Sequence, residues 1–496
     1  MIGYVRRQGP AERDGLPLEA TALVIEGGGA PLVLCGVDTI GLTVEQSDRL
    51  RARIAAAVST EPHAVLLNWN HTHDAPAPGC ELLRRSGLLE TSGDAATEAY
   101  GELLEQRVVE AVCNAAAAVE PARLTWGLGR VDASVNRREV DRGGRIVHGW
   151  RVDGKVDQQV VVMQAQRSDA SPIATLVGYG CHPVAVGMDW GGYSSDYPGA
   201  MRIAMRRFGG EAIFFQGAAG NVLPRVCFCE NEDEAVLIGE RLALEAAHAV
   251  ADRRAWPMRL ARTGDASLIP MKLLRRERAP DRKTPIAALE RRIRIPFQDP
   301  PTETELATLA ADYETQVEEA AARGAGPAER HGLAFHAKWA RVMLDDLRAG
   351  TARYAVEAPM HAVRIGDGAV VTVPGELFTE LGWAIKQRSP AAPTLVAGYT
   401  NGAVGYFPTE AAYAEGGYEP VFSNRSYGTL STVAPSCAQM FVETAVRMLE
   451  ELFPERPRYC GTDWMSLAEL PELPPVEIKR PPDDESGAPP VAPPPG

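Results

Sequence analysis

Three times in its first half this chain repeats one junction: a short apolar run stops abruptly at a cluster of histidine, asparagine or glycine. Ala64–Trp69 runs into Asn70-His71-Thr72-His73-Asp74, Ile173–Tyr179 into Gly180-Cys181-His182-Pro183, and Ala212–Phe215 into Gln216-Gly217-Ala218-Ala219-Gly220-Asn221. Apolar runs of this length bounded by turn-forming residues read as buried strands. Helical patterns lie between them. Strand-like Ala22–Ile25 and Leu32–Val37 precede a helix over Val44–Val58, and a helix over Thr97–Val119 precedes strands at Leu124–Leu128 and Val160–Met163. Alternation of this kind predicts an α/β fold of mixed sheets and helices.

Later segments extend the pattern. Glu230–Arg253 reads as an amphipathic helix, with Val236, Leu237, Leu242, Leu244 and Ala247 as its apolar positions. Residues 303–348 are rich in alanine and charge and read as two helices broken near Gly324-Ala325-Gly326-Pro327, a helical insert or cap. Strands return at Ala358–Ile365 and Ala369–Val373. The organisation expected is one large domain over residues 1–453 and a Pro-rich, acidic tail over 454–496 that buries too little apolar surface to fold alone.

Composition excludes several classes. A net charge of -14 argues against duplex nucleic acid as a partner, because phosphate recognition relies on clustered lysine and arginine. The run Arg275, Arg276, Arg278 reads instead as a solvated helix face. No apolar run reaches the ~18 residues of a membrane span. The start, Met1-Ile2-Gly3-Tyr4-Val5-Arg6-Arg7, has no apolar leader after its basic residues, so a cytoplasmic location is expected. Eight scattered cysteines suit reduced thiols, and the one close pair, Cys227-Phe228-Cys229, lacks the second pair that a four-thiolate zinc site requires.

Histidine at strand ends carries the chemistry. Side chains along a strand repeat every two residues, so His71 and His73 share a face if the extended conformation continues past Trp69. Such a pair offers two neutral nitrogen ligands to a metal, or one ligand and a supporting donor. His182 ends another strand, the glycine-rich loop through Gly220-Asn221 lets backbone approach a ligand closely, and Glu376 follows a strand in Val373-Pro374-Gly375-Glu376. Tyr406 and Tyr418 follow in Gly405-Tyr406-Phe407 and Gly417-Tyr418-Glu419. Taken singly, each has a bland reading: a histidine bonded to backbone, a solvated glutamate, a packed tyrosine. The loop also lacks the lysine and hydroxyl of a phosphate-binding P-loop.

Together, and in this order along the chain, the motifs resemble the catalytic domain of the neutral (non-lysosomal) ceramidase family. The resemblance spans roughly Gly3 to Leu452 and takes in Gly3, His71-Thr72-His73, Asn136-Arg137, His182, Ser195-Asp196, Gly220-Asn221, Glu376, Tyr406 and Tyr418. It implies a zinc-dependent hydrolase cleaving an amide (N-acyl) bond with metal-activated water. One Zn²⁺ would be held by His71, His182, Glu376 and Tyr406. The catalytic residues implied are His73, Arg137 and Tyr418, with Gly3 and Asn221 against the substrate, a small-molecule amide or acyl compound. A homo-oligomer is left open. Relative to the family pattern, neither a secretory leader before Gly3 nor a C-terminal immunoglobulin-like domain is expected from these residues. Leu223 stands where a serine is common, and Glu419-Pro420-Val421 where Gly-Gly-Ser is common, which puts ceramide itself in doubt as the substrate.

Three other readings compete. A zinc esterase or lactonase would use the same site, and a non-catalytic metal-binding protein would keep the same fold. A metallo-β-lactamase fold or amidohydrolase barrel would use His71-Thr72-His73-Asp74, but the former expects a histidine where Ala75 stands and neither expects a tyrosine ligand.

Overall fold

The computed structural model describes residues 3–4, 11–27, 29–79, 94–251, 258–262, 274–278 and 284–455. The expected tail lies outside the described residues from 456 onward.

Three sheets organise the described chain. In the first, β1 (Ala20–Ile25) pairs antiparallel with β2 (Leu32–Val37), which pairs parallel with β3 (Val65–Trp69). Helix α1 (Val44–Ala57) makes the β2–β3 crossover. It begins at a capping box in which the Thr43 hydroxyl accepts from the Gln46 amide (3.2 Å) and the Gln46 side chain accepts from the Thr43 amide (3.0 Å). Helix α2 (Asp94–Ala117) lies beside it on the same face.

The second sheet contains β4 (Arg123–Arg130), β5 (Gln159–Gln166), β6 (Pro172–Tyr179) and β7 (Glu211–Gln216) in the order β7-β6-β5-β4. The β6–β7 pair is parallel and is crossed by α3 (Asp196–Arg206), and α4 (Asp233–Ala251) packs on the same face. The third sheet, in chain order, is β8 (Ile286–Pro296), β9 (Ala355–Ile365), β10 (Gly368–Thr372) and β11 (Thr394–Ala397). Two long helices, α5 (Glu303–Ala322) and α6 (Pro327–Ala349), form a hairpin between β8 and β9. α7 (Thr379–Arg388) and α8 (Cys437–Leu452) cover the sheet.

Each sheet turns one face to helices and the other to a shared core. Leu34 and Leu66 of the first sheet meet Leu176 and Phe215 of the second and Val370 and Leu395 of the third. Fully burying such a side chain contributes roughly 1.5–3 kcal/mol, so this core fixes how the three sheets sit together. The helix layers are held by Leu50, Ile54 and Val108, by Met201, Ile238 and Leu242, and by Ile385, Phe441 and Leu449.

Two buried amides stitch the sheets where their strands end. The Asn68 amide nitrogen donates to the Gly398 carbonyl (2.8 Å) and the Thr400 hydroxyl (2.9 Å), and its oxygen accepts from the Gln216 amide (2.6 Å). The Gln216 side chain donates in turn to the carbonyls of Asn70 (3.0 Å) and Cys181 (2.8 Å). Sheet ends without a ladder partner leave backbone groups that must be satisfied, and these side chains do so while bringing β3, β6, β7 and β11 to one place.

The run at Arg275 corrects the sequence reading. Leu274–Arg278 is a strand paired antiparallel with Met258–Arg262, not a helix face. A short, highly charged run is as compatible with a strand as with a helix, and pairing with Met258–Arg262 decides between them.

Candidate metal centre

The carboxyl ends of β3, β6, β7, β10 and β11 converge, and the residues that follow them build one buried site. His71 and His73 follow β3, His182 follows β6, the loop through Asn221 follows β7, Glu376 follows β10 and Tyr399 follows β11. Tyr406 is brought in by a two-residue parallel ladder that sets it opposite Glu376.

The two histidines after β3 do meet, though not as expected. The extended conformation stops at Trp69, and His71 adopts a left-handed backbone with φ of 69°. This is uncommon for a residue with a Cβ and is held here by the His71 amide bonding to the Thr39 carbonyl (3.0 Å). The rings of His71 and His73 then lie 5.0 Å apart, nearly perpendicular.

Each imidazole is oriented by a backbone carbonyl. The Nδ1 atoms of His71, His73 and His182 lie 2.6 Å from Ile40 O, 2.9 Å from Gly3 O and 2.7 Å from Ala219 O. A carbonyl only accepts, so each Nδ1 carries a hydrogen and each Nε2 is the atom left to face the site. One ligand atom from each of the three rings lies within 4.8 Å of the other two. Burial pushes His71 down to about 4 and His73 well below the ordinary imidazole range, so both rings are neutral near pH 7. Gly3 makes the His73 contact possible, since a Cβ there would come within 2.6 Å of the His73 backbone.

Glu376, only 2% exposed, supplies the negative charge. Its two oxygens lie 3.5 Å from His71 Nε2 and 3.0 Å from His182 Nε2. The Tyr399 hydroxyl donates to one oxygen (3.1 Å) and the Tyr427 hydroxyl to the other. Burial alone would raise this carboxyl, but His71, His182 and Arg137 hold it well below the usual carboxylate range. The Tyr406 hydroxyl is 3.5 Å from His182 Nε2, and burial pushes its pKa well above that of a free phenol.

Such a donor set fits a divalent cation. Imidazole lone pairs aimed at one another and at a buried carboxylate repel unless a positive charge lies among them, and nitrogen and oxygen donors together suit zinc. A cation would also reverse the shift at Tyr406 by favouring its phenolate.

Arg137 and Tyr418 stand beside the donors. The Arg137 guanidinium lies 5.3 Å from the Tyr406 ring centre, with one nitrogen 3.5 Å from His182 Nε2. Its Nη2 is buried with no hydrogen-bond partner among the described residues. The Tyr418 ring packs edge-on to Tyr406 at 5.6 Å, its hydroxyl is 3.4 Å from Ser426 Oγ, and burial pushes it to about 12. Asn221 is turned elsewhere: its amide nitrogen donates to Glu380 (2.9 Å), its oxygen accepts from the Thr379 amide (3.0 Å), and its carbonyl holds the Arg137 amide (2.9 Å). Asp196, the first residue of α3, lies behind the loop that follows His182, its carboxyl accepting from the Val186 amide at 2.8 Å.

Sequence reading missed Tyr399 and Tyr427, whose hydroxyls bind Glu376, and took Glu419 only as a departure from pattern. Nothing in the local sequence around Tyr399 or Tyr427 distinguishes them from packed tyrosines. The helical hairpin also acts on this region. Arg425 lies over the rings of Tyr313 (5.4 Å) and Trp339 (5.1 Å), Trp339 Nε1 donates to the Thr429 carbonyl (3.2 Å), and Leu430 joins the hairpin core.

No protein-family model matches the chain, and no curated protein does. Among solved structures it is similar to the neutral ceramidase from Pseudomonas aeruginosa, at 18% identity over 94% of this chain and 73% of that one, with a TM-score of 0.61. It is also similar to a ceramidase complexed with C2, at 17% identity over 94% of this chain and 76% of that one, with a TM-score of 0.58. The chain has the neutral-ceramidase fold, as the order of its motifs led us to expect.

Proposed function

We propose that this protein is a zinc-dependent hydrolase that cleaves an amide (N-acyl) bond in a small-molecule substrate, with a ceramidase-like site. One observation carries the reading: three carbonyl-oriented imidazoles bring ligand atoms within 4.8 Å of one another, beside a buried carboxylate. The fold shared with two ceramidases supports it. His71, His182, Glu376 and Tyr406 would hold a single Zn²⁺, which when bound supplies a nucleophilic water at neutral pH and polarises the scissile carbonyl.

The chain's own groups do the rest. His73 is neutral, with Nδ1–H fixed on Gly3 O, and its Nε2 takes the proton of the attacking water. Arg137 Nη2 donates to the acyl oxygen as negative charge develops there. The Tyr418 hydroxyl, protonated at neutral pH, delivers a proton to the leaving amine. Water adds to the acyl carbon, the carbon–nitrogen bond breaks, and carboxylate and amine are released.

A second ligand set is favoured by distance. His73 is within 4.8 Å of the ligand atoms of both His71 and His182, so three imidazoles alone would make a site, leaving proton transfer to Tyr418. A screen of N-acyl amines and the matching esters with the zinc-loaded protein tests the reaction. Turnover of at least one amide, abolished in Glu376→Ala, is expected. Turnover of esters alone would move the assignment to an esterase, and turnover that survives Glu376→Ala would refute the site.

A further inference from the structure

Glu419 is fully buried beside this site, and the proposed reaction leaves it without a role. It sits in a four-residue helical turn, Tyr418–Val421, directly after the proton donor. Its two oxygens are divided between neighbouring arginines: Oε1 accepts from Arg137 Nε (2.7 Å) and Oε2 from Arg138 Nη1 (2.6 Å). His148, which reaches the surface, lies 3.7 Å from Oε1 and edge-on to Tyr418. Burial would raise the Glu419 carboxyl, but Arg137, His148 and Arg138 hold it well below the usual range, so it is charged.

The two arginines are used differently. Arg138 turns its other donors away from the site, to the Gly416 carbonyl (2.7 Å), the Ala412 carbonyl (3.3 Å) and Glu415 (3.2 Å). Arg137 is gripped at Nε and leaves Nη2 without a partner among the described residues. A guanidinium is planar, with its donors in a fixed fork, so gripping Nε dictates where the far edge points. Charge follows the same division. Glu419 pairs with both Arg137 and Arg138, while Glu415 is shared between Arg138 and Arg151. What Arg137 then presents is a directed hydrogen bond with its charge offset in part by Glu419.

Building on the hydrolase reading above, we infer that Glu419 is a positioning residue that aims Arg137 at the acyl oxygen and, by offsetting its charge in part, tunes the site for uncharged acyl substrates over permanently anionic ones. Loss of the carboxylate would leave a buried guanidinium uncompensated, and a small anion would be its natural replacement partner.

The test uses the full, zinc-loaded chain and inorganic phosphate as probe. In Glu419→Gln, calorimetry should find phosphate bound at least about tenfold tighter than by the unsubstituted protein, with zinc content unchanged. Turnover of p-nitrophenyl acetate should fall by about 10- to 100-fold, in kcat more than in KM. Glu419→Asp keeps the charge but is too short to reach both arginines. It should lose kcat while its phosphate affinity stays at the unsubstituted level. A purely structural glutamate would lower the melting temperature without creating a phosphate site. Unchanged phosphate affinity in Glu419→Gln overturns the inference, and if that variant does not fold, an unchanged kcat in Glu419→Asp does so. Should the unsubstituted protein turn over no acyl compound at all, the hydrolase reading fails, while the phosphate comparison still decides the role of Glu419.

Discussion

Changing Tyr399 to phenylalanine removes a single oxygen, and the structure sets what that oxygen is worth. Glu376, 2% exposed, is held by two phenols, Tyr399 at 3.1 Å on one oxygen and Tyr427 on the other. A hydrogen bond to a charged acceptor contributes about 1.5–3 kcal/mol. Removing a group that orients a metal ligand lowers metal affinity by about 10- to 100-fold, or roughly 1.4–2.7 kcal/mol, so the two routes agree. The expected outcome for Tyr399→Phe is therefore a zinc affinity lower by one to two decades, read by competition with a fluorescent chelator. Tyr179→Phe is the control. Its hydroxyl, equally buried, bonds Val131 O (2.9 Å) and Ser134 Oγ (3.0 Å), so its loss should lower stability and leave zinc affinity alone. Zinc affinity in Tyr399→Phe within about threefold of the unsubstituted protein would refute the idea that the phenols orient Glu376.

Three further outcomes are expected. His73→Ala and Tyr406→Phe separate the two ligand sets: zinc retained with turnover lost in His73→Ala, and zinc weakened in Tyr406→Phe, support the tyrosine set, while the reverse supports three imidazoles. In metal-free protein, imidazole NMR should find His71 and His361 neutral until the pH falls to about 4, and midpoints near 6.5 would contradict their burial. Because the unfolded chain protonates these rings first, the stability they confer is present above 6.5 and lost as pH falls through about 4. Asp196, raised by burial to about 8, acts in the opposite sense, so its contribution is complete below 3.8 and is lost as pH rises through about 8. Arg425→Ala removes a cation–π cluster worth about 0.5–2 kcal/mol and should speed hydrogen exchange across Tyr418–Leu430, whereas unchanged exchange there would mean the helical hairpin does not brace the site.

Much of the fold was legible because its strands are buried on both faces. Leu32–Val37 and Ile173–Tyr179 are short apolar runs bounded by polar or glycine-rich turns, and both lie in strands. Helix α3 has no counterpart among the helices expected from sequence, and it carries Pro198-Gly199 near its start. In the first helical turn, however, proline loses no needed hydrogen bond, and a Cβ at Gly199 would collide with Ser195 Oγ at 1.7 Å. The charged strand β8 was missed since its Glu290-Arg291-Arg292 stretch offers no apolar alternation. At the site, histidines at strand ends announce themselves, but Tyr399, Tyr427 and Glu419 gain their meaning only from partners 23, 51 and 282 residues away. Local sequence carries no trace of such pairings.

Metal analysis by mass spectrometry on protein purified without added zinc, compared with His71→Ala/His182→Ala, tests the account most directly. It predicts close to one zinc per chain in the unsubstituted protein and almost none in the double variant. Equal zinc in both, or none in the unsubstituted protein after incubation with zinc and removal of excess, would contradict it.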